Sequence, residues 1–183
     1  MGFKVDVSER EAAAGDRSSL PIGKFHMAIT NVETGTPAQG DNVGRPMLIF
    51  EFTVQDSDLT SVQLPDASGR LQPPKQTNDF VNRKDFVNAM CWEGALYTIV
   101  NILKAMGKYQ DCLDNQGKLD IPSDPEFYLG EQMIVRRGIN KKSQQANPDN
   151  PDYWVQAQGF SPVKGAAAVS AGASSSGEGS LLP

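Results

Sequence analysis

The chain has 183 residues, a formal net charge of −5 and a pI near 4.9, with one histidine and two cysteines. That length fits one domain of about 140 residues plus tails, enough to bury a core without disulfide or metal staples. The acidic balance argues against a protein that coats duplex nucleic acid through bulk charge, although a local basic groove can work on an acidic body.

Residues 1–19 read as a polar, flexible arm. They hold no apolar run of the signal-peptide kind, and nowhere does the chain approach the ~18 apolar residues of a membrane-crossing helix. Gly2 after the initiator methionine resembles the start of a myristoylation signal, but Asp6 stands where that signal wants Ser or Thr. Gly23 to Glu33 alternates, with Phe25, Met27 and Ile29 on one face and Lys24, His26, Ala28 and Thr30 on the other, which predicts a half-buried strand. Thr34 to Pro46 is turn chemistry. Met47 to Gln55 predicts a second strand whose dense face is Leu48, Phe50, Phe52 and Val54, antiparallel to the first. Asp56 to Asp79 is long, polar and proline-bearing, as functional or disordered loops are. Asp79 to Val87 supplies a third strand. Trp92 to Met106 predicts a helix, because Trp92, Leu96, Ile99, Leu103 and Met106 share one face, with Trp92 in the core and Gly107 as the stop. Asp111 to Glu126 is a polar connector. Glu131 to Ile139 is a fourth strand, residues 141–152 a turn-rich hairpin loop, and Tyr153 to Phe160 a fifth strand. After Pro162 the composition falls to Gly, Ala and Ser, a tract that cannot bury enough surface to fold. The expected domains are therefore an arm (1–19), a binding domain (20–164) and a disordered tail (165–183).

The chemistry of enzymes is thin. The chain has no phosphate-cradling GxxxxGK[ST] and no GxSxG elbow. A Ser-His-Asp triad would have to use His26 on an exposed strand. Asp56 and Asp58 form a DxD without a companion ExxH, the pattern of a solvated turn. Cys91 and Cys112 belong to no CxxC pair, so no zinc site is expected. Their spacing leaves a disulfide open beside the simpler reading of free thiols in a reducing cytosol. The expectation is a non-enzyme without metal or cofactor.

The last strand carries the binding signal. In YWVQAQGF, Tyr153, Val155 and Ala157 point one way, while Trp154, Gln156 and Gln158 point the other. A tryptophan on a polar face stands beside Arg136, Arg137, Lys141 and Lys142. Aromatics and cations combined in this way hold single-stranded nucleic acid by base stacking and phosphate contact. Three strands, a helix and two strands is the order of an OB-fold, a mainly β, five-stranded barrel with one helix between strands 3 and 4. In that fold the strand-binding loops would carry Arg45, between strands 1 and 2, and Lys141 and Lys142, between strands 4 and 5. Candidate nucleic-acid-binding residues are thus Lys24, Arg45, Arg136, Arg137, Lys141, Lys142, Tyr153 and Trp154.

The runs PIGKFHMAITNVETG, GRPMLIFEFTVQDS, ILKAMGKY and YLGEQMIVRRGI, with the closing DYWVQAQGFSPV, resemble a family of bacteriophage-encoded single-stranded-DNA-binding proteins. The matching positions are Gly23, Phe25, Phe50, Phe52, Leu103, Gly107, Leu129, Gly130, Phe160 and Pro162. The resemblance spans about Pro21 to Val163. It implies sequence-independent binding of single-stranded DNA in a phage replication or recombination module, in the cytoplasm of the infected host. Candidate partners are single-stranded DNA, replication or recombination proteins of phage or host, and further copies of the chain, with no membrane. Two features depart from the pattern: the insertion at Asp56–Asp79, and a terminus with Glu178 in place of an acidic tip. The alternative is a virion structural or accessory protein, a head or tail component whose arms lace neighbouring subunits and which has no nucleic-acid chemistry.

Overall fold

The structure, a computed structural model, describes residues 20–37, 41–146, 148–149 and 154–163. The arm at 1–19, Tyr153 and the tail at 165–183 lie outside the described residues.

Strand β1 (Ile22–Gly35) buries Phe25, Met27 and Ile29 and sends Lys24 outward, as the alternation predicts. It pairs antiparallel with β2 (Met47–Val54), whose Leu48, Phe50, Phe52 and Val54 are all buried. Each of these apolar side chains contributes about 1.5–3 kcal/mol on burial. A bulge between Ile29 and Asn31 keeps both halves of β1 in phase with the core. The segment expected as a long loop instead supplies two short strands, β3 (Ser61–Gln63) and β4 (Lys75–Gln76), which extend the sheet beyond β1. Gly23 sits where β1 is paired on both edges; a methyl group there would run into the Ser61 carbonyl oxygen.

The third long strand, β5 (Lys84–Met90), starts later than expected and pairs with β2. Trp92 then lies in a turn, not in the helix: Ala95 N–H donates to the Trp92 carbonyl, and Gly94 between them is left-handed at φ 85°. Helix α1 therefore begins at Tyr97 and spans Tyr97–Ala105, burying Ile99, Ile102 and Leu103. It stops at Gly107, and Lys108 N–H reaches back to the Leu103 carbonyl.

Strand β6 (Gln132–Ile139) returns along the other edge of β1 and pairs with β7 (Val155–Pro162). The segment between them was expected as loop, but Lys141–Ala146 form a short helix, α2. Asn140 nucleates it: its Oδ1 accepts from Lys142 N–H at 3.0 Å and Ser143 N–H at 3.3 Å.

The result is a mainly β, seven-stranded antiparallel sheet in the order β4-β3-β1-β2-β5, with β6 and β7 continuing from β1. The sheet curls enough for Phe160 of β7 to stack on Phe52 of β2, with ring centroids 5.9 Å apart. It does not close. No ladder joins β5 to β7, so in place of the expected five-stranded barrel the described residues form an open sheet with a seam. Helix α1 packs against both strands that border the seam, and side chains between them take the place of a ladder. Among the described residues no helix is long and apolar enough to cross a membrane.

Candidate nucleic-acid interface

Lys24 and Arg136 stand directly opposite each other on the β1–β6 ladder. Their neighbours Phe25 and Val135 point into the core, so both cations point outward and both are exposed. Like charges directly across a ladder repel, a cost that an anion between them removes. The Arg136 side chain lies over Gly159 of β7. Lys24 and Arg136 together line a groove of about 530 Å³ whose floor includes Ile134 and Gly159. Along the same face His26 shares a hydrogen bond with Gln132, Nε2 to Oε1 at 3.0 Å.

Helix α2 carries Lys141 and Lys142, both exposed, past the end of β6. The half-buried Trp154 is tied to the same turn through its backbone: its carbonyl accepts from Asn140 N–H at 2.7 Å. Asn140 Nδ2 donates to Gln156 Oε1 at 2.9 Å, and Gln156 Nε2 donates to Ser143 Oγ at 2.9 Å. One asparagine thus caps the helix, holds the backbone at Trp154 and fixes Gln156. Among the described residues the ion pairs are Lys84–Glu51, Lys108–Glu131 and Arg137–Asp85. Lys24, Arg136, Lys141 and Lys142 take part in none of them.

Arg137 belongs elsewhere. It extends the inward row of Met133 and Val135 and is only 7% exposed. Its guanidinium donates to the Leu20 carbonyl at 2.6 Å and the Val155 carbonyl at 2.7 Å. Nε stands 3.2 Å from Asp85 Oδ2, an ion pair in which the N–H does not aim at the oxygen. Burial pushes the Asp85 carboxyl above its ordinary pKa against the pull of Arg137, and burial likewise lowers Arg137. The pair spans β5 to β6 at the open seam. Arg137 is therefore a brace of the fold: it borders a groove that Lys24 and Arg136 also line, but its guanidinium is held inside by Leu20, Val155 and Asp85.

Arg45 is also apart. It precedes Met47, which pairs with Gly35 at the opposite end of β1 from Lys24. It is exposed, and its guanidinium lies 5.5 Å from the centre of the Trp92 ring. Trp92, expected in the core, is half-buried under that cation. Tyr153 lies outside the described residues.

Sequence reasoning passed over two aromatics. Phe86 is 44% and Tyr97 73% exposed, and both line the seam. The signal was present: Tyr97 is out of phase with the apolar helix face at Leu96, Ile99 and Leu103, and Phe86 is out of phase with Val87 and Ala89. Among the described residues no three His, Cys, Asp or Glu side chains gather as a metal site, and Cys91 and Cys112 are free thiols. Comparison with known protein families, curated proteins and solved structures finds no match.

Proposed function

We propose that this protein binds single-stranded DNA without sequence preference, as an OB-like module of phage replication or recombination working in the host cytoplasm. The observation that carries the reading is the face made by Lys24 and Arg136, with Lys141, Lys142 and Trp154 at the neighbouring hairpin. On a chain of net charge −5, four exposed cations outside every described ion pair are an excess that a polyanion satisfies. Phosphate contacts from these side chains position a strand and carry no base information. Trp154 supplies a stacking surface, which tolerates any base because every base has a π-face. The order of the long strands, with α1 between β5 and β6, supports the OB-like reading, as does the resemblance of the sequence runs to phage strand-binding proteins. Of the expected binding residues, Lys24, Arg136, Lys141, Lys142 and Trp154 form this interface; Arg45 and Arg137 are left to other roles.

An electrophoretic mobility shift with oligo-dT against a duplex of the same length tests the reading. At low salt the single strand is expected to bind more tightly. Equal affinity for the duplex would remove the stacking account.

A further inference from the structure

The seam between β5 and β7 holds a groove of about 530 Å³. One wall is β5 from Asp85 to Asn88, and the other is Gln156 to Gln158 of β7. Tyr97 and Thr98, at the start of α1, complete it. Its charged lining residues are Asp85 and Arg137, which neutralise each other. Gln156 and Gln158 are committed to Asn140, Ser143 and the Ile139 carbonyl, so that wall is fixed. What the groove offers a ligand is the exposed ring of Tyr97 and uncharged polar groups on Asn88 and Thr98, with Phe86 on the same lining.

This groove adjoins the cationic face. Arg137 and Gln158 also line a smaller groove, about 310 Å³, that Lys24 and Arg136 share. The bulge between Arg136 and Arg137 sets Gln158 on the ridge between the two. On one side of that ridge the surface is cationic, and on the other it is neutral, aromatic and amide-bearing. A single nucleic-acid strand is divided in the same way, into a charged phosphate edge and a neutral base edge.

We infer that the seam groove receives bases of a strand whose phosphates follow Lys24 and Arg136, with Tyr97 as a stacking platform and Phe86 beside it. The inference rests on the single-strand-binding reading and adds a site to it. The cation lining this groove, Arg137, is already paired to Asp85, so the exposed Lys24 and Arg136 are the stronger draw for phosphates, and an aromatic face accepts all four bases.

The test compares Tyr97→Ala with the unaltered protein on two probes, oligo-dT and an abasic strand of the same length. Tyr97 is mostly in water, so the variant is expected to melt at the unaltered temperature. Its affinity for oligo-dT is expected to fall about tenfold, within the range of one lost stacked base. Its affinity for the abasic strand is expected to stay the same, and Tyr97→Phe to behave as the unaltered protein. Lys24→Ala, in contrast, should weaken both probes. Unchanged oligo-dT binding by Tyr97→Ala, or an equal loss on both probes, overturns the inference alone. Failure of the unaltered protein to bind oligo-dT at all overturns the single-strand reading beneath it.

Discussion

Arg137 donates to two backbone carbonyls inside the fold, whereas Arg136, one residue earlier, lies in water. The strand period of two puts them on opposite faces, and a charge in an inward row is retained only with a partner. Asp85 is that partner, itself in the inward row of Val87 and Ala89. Arg137→Ala leaves a buried carboxylate alone and is expected to cost about 3–5 kcal/mol of stability. The deficit should depend on pH. Burial raises the folded-state pKa of Asp85 above its ordinary value, so protonation of this carboxyl is more favourable in the folded protein than in the unfolded chain. Without Arg137 that preference grows, and the deficit should shrink as pH falls toward the ordinary carboxylate value and be fully present at neutral pH. Arg136→Ala should leave stability within about 0.5 kcal/mol while weakening strand binding. Chemical denaturation of both variants across pH reads all of this. A stable Arg137→Ala with lost binding would put Arg137 in the interface after all.

At the scale of elements, β1, β2 and β6 were legible because each buries one face, so alternation shows directly in the sequence. Strands β3 and β4 were not: segments of three and two residues are too short to carry a period. Strand β5 begins at Lys84 rather than Asp79 because the backbone turns just before it: Arg83 N–H donates to the Phe80 carbonyl and Asn82 is left-handed at φ 66°. The helix was over-extended because Trp92 kept phase with Leu96 and Ile99, while Gly94 turned the backbone between them. The short helix α2 was hidden in a run rich in Asn, Gln and Pro, although Asn140 before Lys141 is a good N-cap. Gly23, by contrast, carries its message in the sequence as the glycine two residues before the first core aromatic, Phe25. Gly23→Ala should force β1 and β3 apart at the Ser61 carbonyl. Misfit of this kind costs about 1–3 kcal/mol, read as a lower melting temperature. An unchanged melt would mean that β3 is not held against β1.

For the whole molecule, the order of the long strands and α1 was legible and closure was not. An open sheet and a closed barrel share the same order of strands, and the difference is made by side chains at the seam. The candidate interface was legible in its cations and in Trp154. The sequence could not separate Arg45 from Lys24, because both precede core residues of the first two strands and only the register shows them at opposite ends of β1. The central claim is that Lys24, Arg136, Lys141 and Lys142 contact the phosphates of a single strand. Affinity for oligo-dT measured across a salt series tests it most directly. Four contacts predict that log K falls against log salt with a slope of roughly −2.8, and Lys24→Ala combined with Arg136→Ala should flatten it to about −1.4. A slope that the double substitution leaves unchanged would contradict the account.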